Sequence, residues 1–167
     1  MKILVFGNSG SGKSTLAKSL CQSNSLSHLD LDKLAWLPTK PPRRMPLADS
    51  KTQIEQFIAS AEGWVIEGCY TDLLELAVPF ASEVRYLKIP IEECIENAKA
   101  RPWEPHKYPS KTAQDENLDM LINWISNYSN RSDTFSESSH QKLYDEFTGE
   151  KSICLEHLKK KPTGSST

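Results

Sequence analysis

The chain predicts an α/β fold, a parallel sheet between layers of helices, and three observations carry that expectation. Short, uninterrupted apolar runs alternate along the chain with segments whose apolar residues recur at helical spacing, the pattern of successive β-α-β units. The runs lack the polar-apolar alternation of a half-exposed strand, so both faces are expected to be covered, as in a parallel sheet flanked by helices. The first run ends in a glycine-rich turn at the start of a helix, a junction that aims backbone N–H groups at one point.

The elements follow in order. Ile3 to Phe6, β-branched in part and closed by Gly7, reads as the first buried strand. Leu16, Ala17, Leu20 and Cys21 make one apolar stripe of a helix, broken by Ser23-Asn24-Ser25. Leu26 to Leu31 is a second strand that ends in acidic residues. Four prolines between Pro38 and Pro46 exclude a regular helix and predict a surface loop. Ile54, Phe57, Ile58 and Ala61 then restore helical spacing. Gly63 to Gly68 reads as a third strand and Val84 to Ile89 as a fourth, closed by Pro90. Ile91, Cys94, Ile95 and Ala98 share one face of the next helix. Three prolines between Arg101 and Pro109 make a second long loop. Helical patterning returns over 117–128 and 137–147, and Ser152 to Leu155 is a candidate fifth strand. One domain is expected over 1–160, with 161–167 a polar tail.

Composition narrows the function classes. A chain of 167 residues, 38% hydrophobic and 25% charged, is long enough to hold a core without disulfides or a structural metal. Cys21, Cys69, Cys94 and Cys154 are scattered with no C-x-x-C pair, so reduced thiols are expected. The formal charge of −2 gives no overall pull toward nucleic acid or anionic lipid, so no direct nucleic-acid partner is expected and any polyanion site must be local. No stretch approaches the ~20 apolar residues of a spanning helix. The opening run is too short for a signal peptide, and the expected location is the cytoplasm.

Chemistry concentrates first in Gly7-Asn8-Ser9-Gly10-Ser11-Gly12-Lys13-Ser14-Thr15, which satisfies G-x-x-x-x-G-K-[ST] between a strand and a helix. Glycines allow the positive φ that turns amide groups inward around phosphate oxygens, and the helix N-terminus adds about half a positive charge. Lys13 is expected to reach the β- and γ-phosphates of a nucleotide and the Ser14 hydroxyl to ligate Mg²⁺. ATP and Mg²⁺ are therefore the expected ligands.

At this motif the chain resembles the P-loop kinase group that contains adenylate and shikimate kinases, over nearly its whole length. Within that group, Leu29-Asp30-Leu31-Asp32-Lys33-Leu34-Ala35-Trp36-Leu37-Pro38 and Trp64-Val65-Ile66-Glu67-Gly68-Cys69-Tyr70 look closest to the small topology-modulation ATPase proteins. Their second run usually reads W-I-I-D-G-N-Y, so Glu67 and Cys69 are departures. The resemblance implies a three-layer P-loop NTPase fold with a five-stranded parallel sheet of order 2-3-1-4-5. It also implies an acceptor-side insertion over 38–60 and a lid over 101–131.

Asp30 and Asp32 alternate with Leu29 and Leu31, so on a strand both carboxylates point to one face near the phosphate loop. By resemblance to the D-x-D of shikimate kinase, Asp30 holds a Mg²⁺-bound water and Asp32 orients or deprotonates an acceptor. The plain alternative is that Asp32 caps the following helix. Glu67 stands where the group places its second Mg²⁺-associated acid.

Bidentate arginines suit a phosphoryl group whose charge spreads over three oxygens. Arg43 and Arg44 lie where the group's acceptor-binding segment is inserted, and Arg101 lies before the lid. Arg131-Ser132-Asp133 looks like the R-x-D-D after the adenylate kinase lid, with Thr134 in place of the second aspartate, which makes Arg101 and Arg131 the expected phosphate contacts. Each is otherwise a surface charge. His106 and Lys107, with Trp103 and Tyr108, belong either to a closing lid or to a well-packed loop. Trp36 and Tyr70 either line an acceptor pocket or belong to the core. His28 and His140 read as structural.

The expected activity is Mg²⁺-dependent phosphoryl transfer from ATP to a small metabolite or nucleotide. The paired aspartates favour a hydroxyl, and Glu67-Gly68-Cys69-Tyr70 replaces the triple glycine of the shikimate family. The alternative, from the topology-modulation resemblance, is a nucleotide-dependent regulatory ATPase.

Overall fold

The computed structural model describes residues 1–156. Strand β1 (Lys2–Gly7) leads through the glycine-rich loop into helix α1 (Lys13–Asn24), then β2 (Ser27–Asp30) and the single-turn helix α2 (Asp32–Ala35). A short hairpin of β3 (Trp36–Leu37) and β4 (Arg43–Arg44) precedes α3 (Leu47–Ser60), β5 (Trp64–Gly68) and α4 (Thr71–Ala77). The chain continues as β6 (Glu83–Leu87), α5 (Ile91–Lys99), α6 (Lys111–Ser126), α7 (Glu137–Glu146) and β7 (Glu150–Cys154).

Five parallel strands form the sheet in the order β2-β5-β1-β6-β7. In chain numbering this differs from the expected 2-3-1-4-5. The reason is the β3-β4 hairpin, whose antiparallel pairs Trp36 with Arg44 and Leu37 with Arg43 stand outside the sheet but take two places in the count. The proline-rich segment was expected to be loop alone. Two residues of strand form there because Arg44 Nε donates to the Ala35 carbonyl and Met45 N to the same oxygen, tying the segment back to α2.

Each sheet face is covered. Leu4, Phe6, Trp64, Ile66, Val84 and Tyr86 pack with Leu73, Leu74, Ile54 and Leu143 from α3, α4 and α7. Ile3, Val5 and Val65 pack with Leu16, Ala17, Cys94, Ala98 and Ile125 from α1, α5 and α6. That two-sided burial is why the strands read as continuous apolar runs. All four cysteines are free, and Cys94 is the one that is fully buried. Among the described residues no helix is long and apolar enough to cross a membrane.

Several boundaries move for local reasons. The second strand stops at Asp30 rather than Leu31, because the Asp30 carboxylate accepts from the Asp32 amide and turns the chain into α2. Asp32 is therefore a helix residue, and the expected placement of both carboxylates on one strand is corrected. Helix α3 begins at Leu47, directly after Pro46. Helix α6 begins at Lys111, ahead of its periodic residues, because the Ser110 hydroxyl accepts from Ala113 N. Of the expected lid segment 101–131, residues 101–110 are irregular and most of the rest is α6, packed against α5 through Leu118, Leu121 and Ile125. The expected tail 161–167 and the domain end at residue 160 lie outside the described residues.

Candidate active site

The phosphate loop sits at the C-terminal end of β1, and its shape depends on two glycines. Gly10 and Gly12 have φ of 80° and 91°, a region that L side chains rarely enter. A Cβ on Gly10 would run into the Cys94 carbonyl of α5, so the loop can lie against that helix only without a side chain. Asn97 Nδ2 donates to the Gly10 carbonyl (2.9 Å) and Asn8 Nδ2 to the Ile125 carbonyl (3.2 Å), which anchor the loop to α5 and α6. Gly12 is the left-handed residue at the N-terminus of α1, and its carbonyl accepts from Leu16 N. The first amides of α1 therefore have no partner within the helix.

These elements frame a cavity of about 430 Å³. Ser9, Gly10, Gly12, Lys13, Ser14 and Thr15 form its floor, and Asp32, Glu67 and Arg101 stand on its walls. Gly7, Asn8 and Ser11 support the loop from behind and are buried. Lys13 Nζ donates to the Asn8 carbonyl at 2.7 Å, folded back over its own loop. Four cations, Lys13, Lys18, Arg101 and Lys107, line the cavity beside the α1 N-terminus, a polarity suited to a polyanion.

Glu67 is the penultimate residue of β5, and the parallel ladder sets it between Val5 of β1 and Asp30 of β2. It is 2% exposed. The Ser14 hydroxyl donates to Glu67 Oε1 at 2.8 Å, and His28 Nε2 reaches the same oxygen at 3.1 Å. Burial, together with the neighbouring Glu67 and Asp32 carboxylates, pushes the Asp30 carboxyl above its ordinary value. Ser14 and Glu67 supply adjacent hard oxygens. Among the described residues no group of three or more His, Cys, Asp or Glu makes a self-sufficient metal cage. This donor set fits Mg²⁺, which binds through one or two protein oxygens together with phosphates and water.

Asp32 projects from the start of α2. Tyr70 OH donates to its Oδ1 at 2.5 Å, and Trp36 Nε1 donates to Tyr70 OH at 2.8 Å. Lys107 Nζ lies 3.3 Å from Oδ2 and 3.7 Å from Glu104. Although the cavity wall partly desolvates it, the Asp32 carboxyl is held below the usual carboxylate range by the Lys107 ammonium and the Tyr70 hydroxyl. Lys107 is desolvated too, and Asp32 and Glu104 raise its pKa in spite of that. Burial pushes the Cys69 thiol, also on the cavity wall, up to about 12, so it stays protonated and inert.

Four expected site residues stand elsewhere. Arg43 is exposed on β4. Arg44 Nη2 donates to both Asp72 carboxylate oxygens (3.2 and 3.0 Å), and the guanidinium lies over the Trp36, Tyr70 and Phe135 rings. Arg131 stacks on Trp124, 3.3 Å from the ring centre, and pairs with Asp133 beside a separate cleft of about 340 Å³. Nearby carboxylates and aromatic faces hold both guanidiniums away from the phosphate loop. Tyr70 is buried and meets the cavity only through Asp32.

Conversely, Lys18, Asn97, Glu104, Lys107 and His28 are brought to the site or its supports. Only Lys107 had a sequence signal, its place in a proline-rich loop beside aromatics.

No family model and no curated protein matches this chain. Among solved structures, deoxyadenosine kinase from M. mycoides with bound dATP is similar over 93% of this chain and 91% of its own, with 14% identity and a TM-score of 0.48. Shikimate kinase from Bacteroides thetaiotaomicron is similar over 87% and 97%, with 14% identity and a TM-score of 0.46. A gluconokinase from Sinorhizobium meliloti 1021 is similar over 86% and 93%, with 15% identity and a TM-score of 0.47.

Proposed function

We propose that the chain is a Mg²⁺-dependent ATP phosphotransferase whose acceptor presents a hydroxyl group. The observation that carries this reading is the phosphate loop lying in one cavity with Lys13, Arg101, Lys107 and the Asp32 carboxylate. A phosphate loop alone binds nucleotide; a carboxylate across the same cavity adds a group that can direct an attacking oxygen.

The loop amides and Lys13 hold the phosphates, Lys13 exchanging the Asn8 carbonyl for phosphate oxygen. Arg101 offers a planar fork to the transferring group. Ser14 and Glu67 would hold Mg²⁺, which neutralises charge on the β- and γ-phosphates when bound. The acceptor oxygen bonds to the γ-phosphorus as the bridging bond to the β-phosphate breaks, ADP departs with the electron pair, and the hydroxyl proton passes to Asp32. Tyr70 acts through Asp32, holding Oδ1, while Oδ2 faces the Lys107 ammonium and is the oxygen that the acceptor hydroxyl shares with it. Holding reactants in this way is the main contribution a protein makes to phosphoryl transfer.

The test is ADP release from MgATP with and without pooled nucleosides, nucleotides and hydroxylated metabolites, with Lys13→Ala as the blank. Stimulation by a pool that vanishes in Lys13→Ala is expected. Release unchanged by every pool would favour a nucleotide-dependent regulatory ATPase, and undiminished turnover in Lys13→Ala would sink the phosphate-loop assignment.

A further inference from the structure

We infer that His28, read from the sequence as structural, is a positioning residue that fixes the Glu67 carboxylate for its work beside the phosphates; the inference rests on the phosphotransferase reading. His28 lies on β2, the edge strand, and the ladder sets it opposite Val65, two residues before the pair Asp30 and Glu67. Alternation along the strand puts His28 and Asp30 on one face, which is also the face of Val65 and Glu67. From there the ring covers the edge-side flank of a carboxylate that is 2% exposed.

Both donors land on one oxygen. Ser14 Oγ and His28 Nε2 engage Oε1, while Oε2 has no hydrogen-bond partner among the described residues and Glu67 lines the cavity. An ionised carboxylate only accepts, so His28 carries its proton on Nε2. The two anchors differ in what holds them. Ser14 belongs to the phosphate loop and is itself a metal-ligand candidate, so its hydroxyl turns with whatever the loop holds. His28 is set by the backbone ladder that pairs Ser27 with Trp64 and Leu29 with Ile66. It is therefore the anchor that persists when ligand arrives, and it also gives Glu67 a donor against the adjacent Asp30 charge. Partners of this kind orient ligating groups, and their loss weakens metal binding rather than nucleotide binding in general.

The experiment is calorimetric titration of ATPγS into the full chain, in Mg²⁺ and in EDTA, for wild type, Glu67→Gln, His28→Leu and His28→Gln, with thermal melting as the fold control. The metal-dependent gain, the ratio of the EDTA Kd to the Mg²⁺ Kd, is expected to fall about tenfold in His28→Leu. The EDTA Kd should stay unchanged, and His28→Gln, which keeps an N–H donor, should recover most of the gain. A His28→Leu ratio equal to wild type overturns the inference, as does equal weakening in both buffers, the mark of a merely structural residue. Loss of the gain in Glu67→Gln alone would sink His28 while leaving the phosphotransferase reading in place. A wild type with no metal-dependent gain would overturn that reading, and the inference with it.

Discussion

Asp32 sits where two side chains from distant parts of the chain, Tyr70 and Lys107, converge, and that convergence makes its substitution informative. Asp32→Asn keeps the shape and the contact to Tyr70 but removes the base. Transfer is expected to fall by about 10²–10⁴-fold, with ATPγS affinity nearly unchanged; steady-state turnover beside a binding titration separates the two. Turnover equal to wild type would leave Asp32 a structural partner of Tyr70 and Lys107, since no side-chain cap forms on α2. Tyr70→Phe deletes the hydroxyl that links Trp36 to Asp32. It is expected to cost roughly 1 kcal/mol of stability, read by denaturant midpoints, and to lower turnover less than Asp32→Asn does.

Lys13, Ser14 and Glu67 were legible in the sequence because a strand end followed by a helix fixes their places locally. Lys107 was legible as a residue of a proline-rich loop but not as the partner of Asp32, and His28 was read only as structural, since nothing near either in the chain announces the carboxylate it meets. Arg44 and Arg131 were legible as arginines but not in position, because Asp72 and Asp133 capture them.

At the scale of elements, the phosphate loop is wedged between α1 and α5 and tolerates no added bulk at its tightest point. Gly10→Ala should lower the melting temperature and abolish ATPγS binding, because the new methyl meets the Cys94 carbonyl in a left-handed backbone. Ser110→Ala, by contrast, removes the α6 cap at a residue outside the cavity lining. It is expected to cost about 1 kcal/mol with nucleotide affinity intact.

The sheet strands were legible because burial on both faces leaves uninterrupted apolar runs. Helix α4 was not, because its seven residues, with Thr71, Leu73, Leu74 and Ala77 all buried, are too few for a clear period. The β3-β4 hairpin escaped for another reason. It depends on contacts back to α2 that outweigh the local signal of its prolines.

Across the whole molecule, a buried polar chain links the sheet to the wall of the cavity at Cys69. Tyr86 OH meets Tyr128 OH (2.9 Å), which meets His140 Nδ1 (2.6 Å), and His140 Nε2 donates to the Cys69 carbonyl (2.8 Å), just beyond Glu67. Because a carbonyl only accepts, His140 is the neutral Nε2–H tautomer and its Nδ1 accepts from Tyr128. Burial lowers its pKa from the ordinary 6.5 to about 4.

The unfolded chain therefore binds this proton more readily than the fold does. The His140 contribution to stability is complete above about pH 6.5 and is lost as the pH falls toward about 4, a swing of roughly 3 kcal/mol. Denaturant unfolding at pH 7 and pH 4.5 should reveal that slope in wild type, and the same slope in His140→Gln would contradict the assignment.

The architecture gathers a phosphate loop, its lysine, an arginine and an aimed carboxylate into one cavity, and the fate of the γ-phosphate tests whether they act together. ATP labelled at its γ-phosphate would be incubated with Mg²⁺, the protein and a small-molecule extract, and the label traced by chromatography. Label is expected in an organic phosphoester, formed by wild type and lost in both Lys13→Ala and Asp32→Asn. Label found only in inorganic phosphate, whatever the extract, would overturn the phosphotransferase reading.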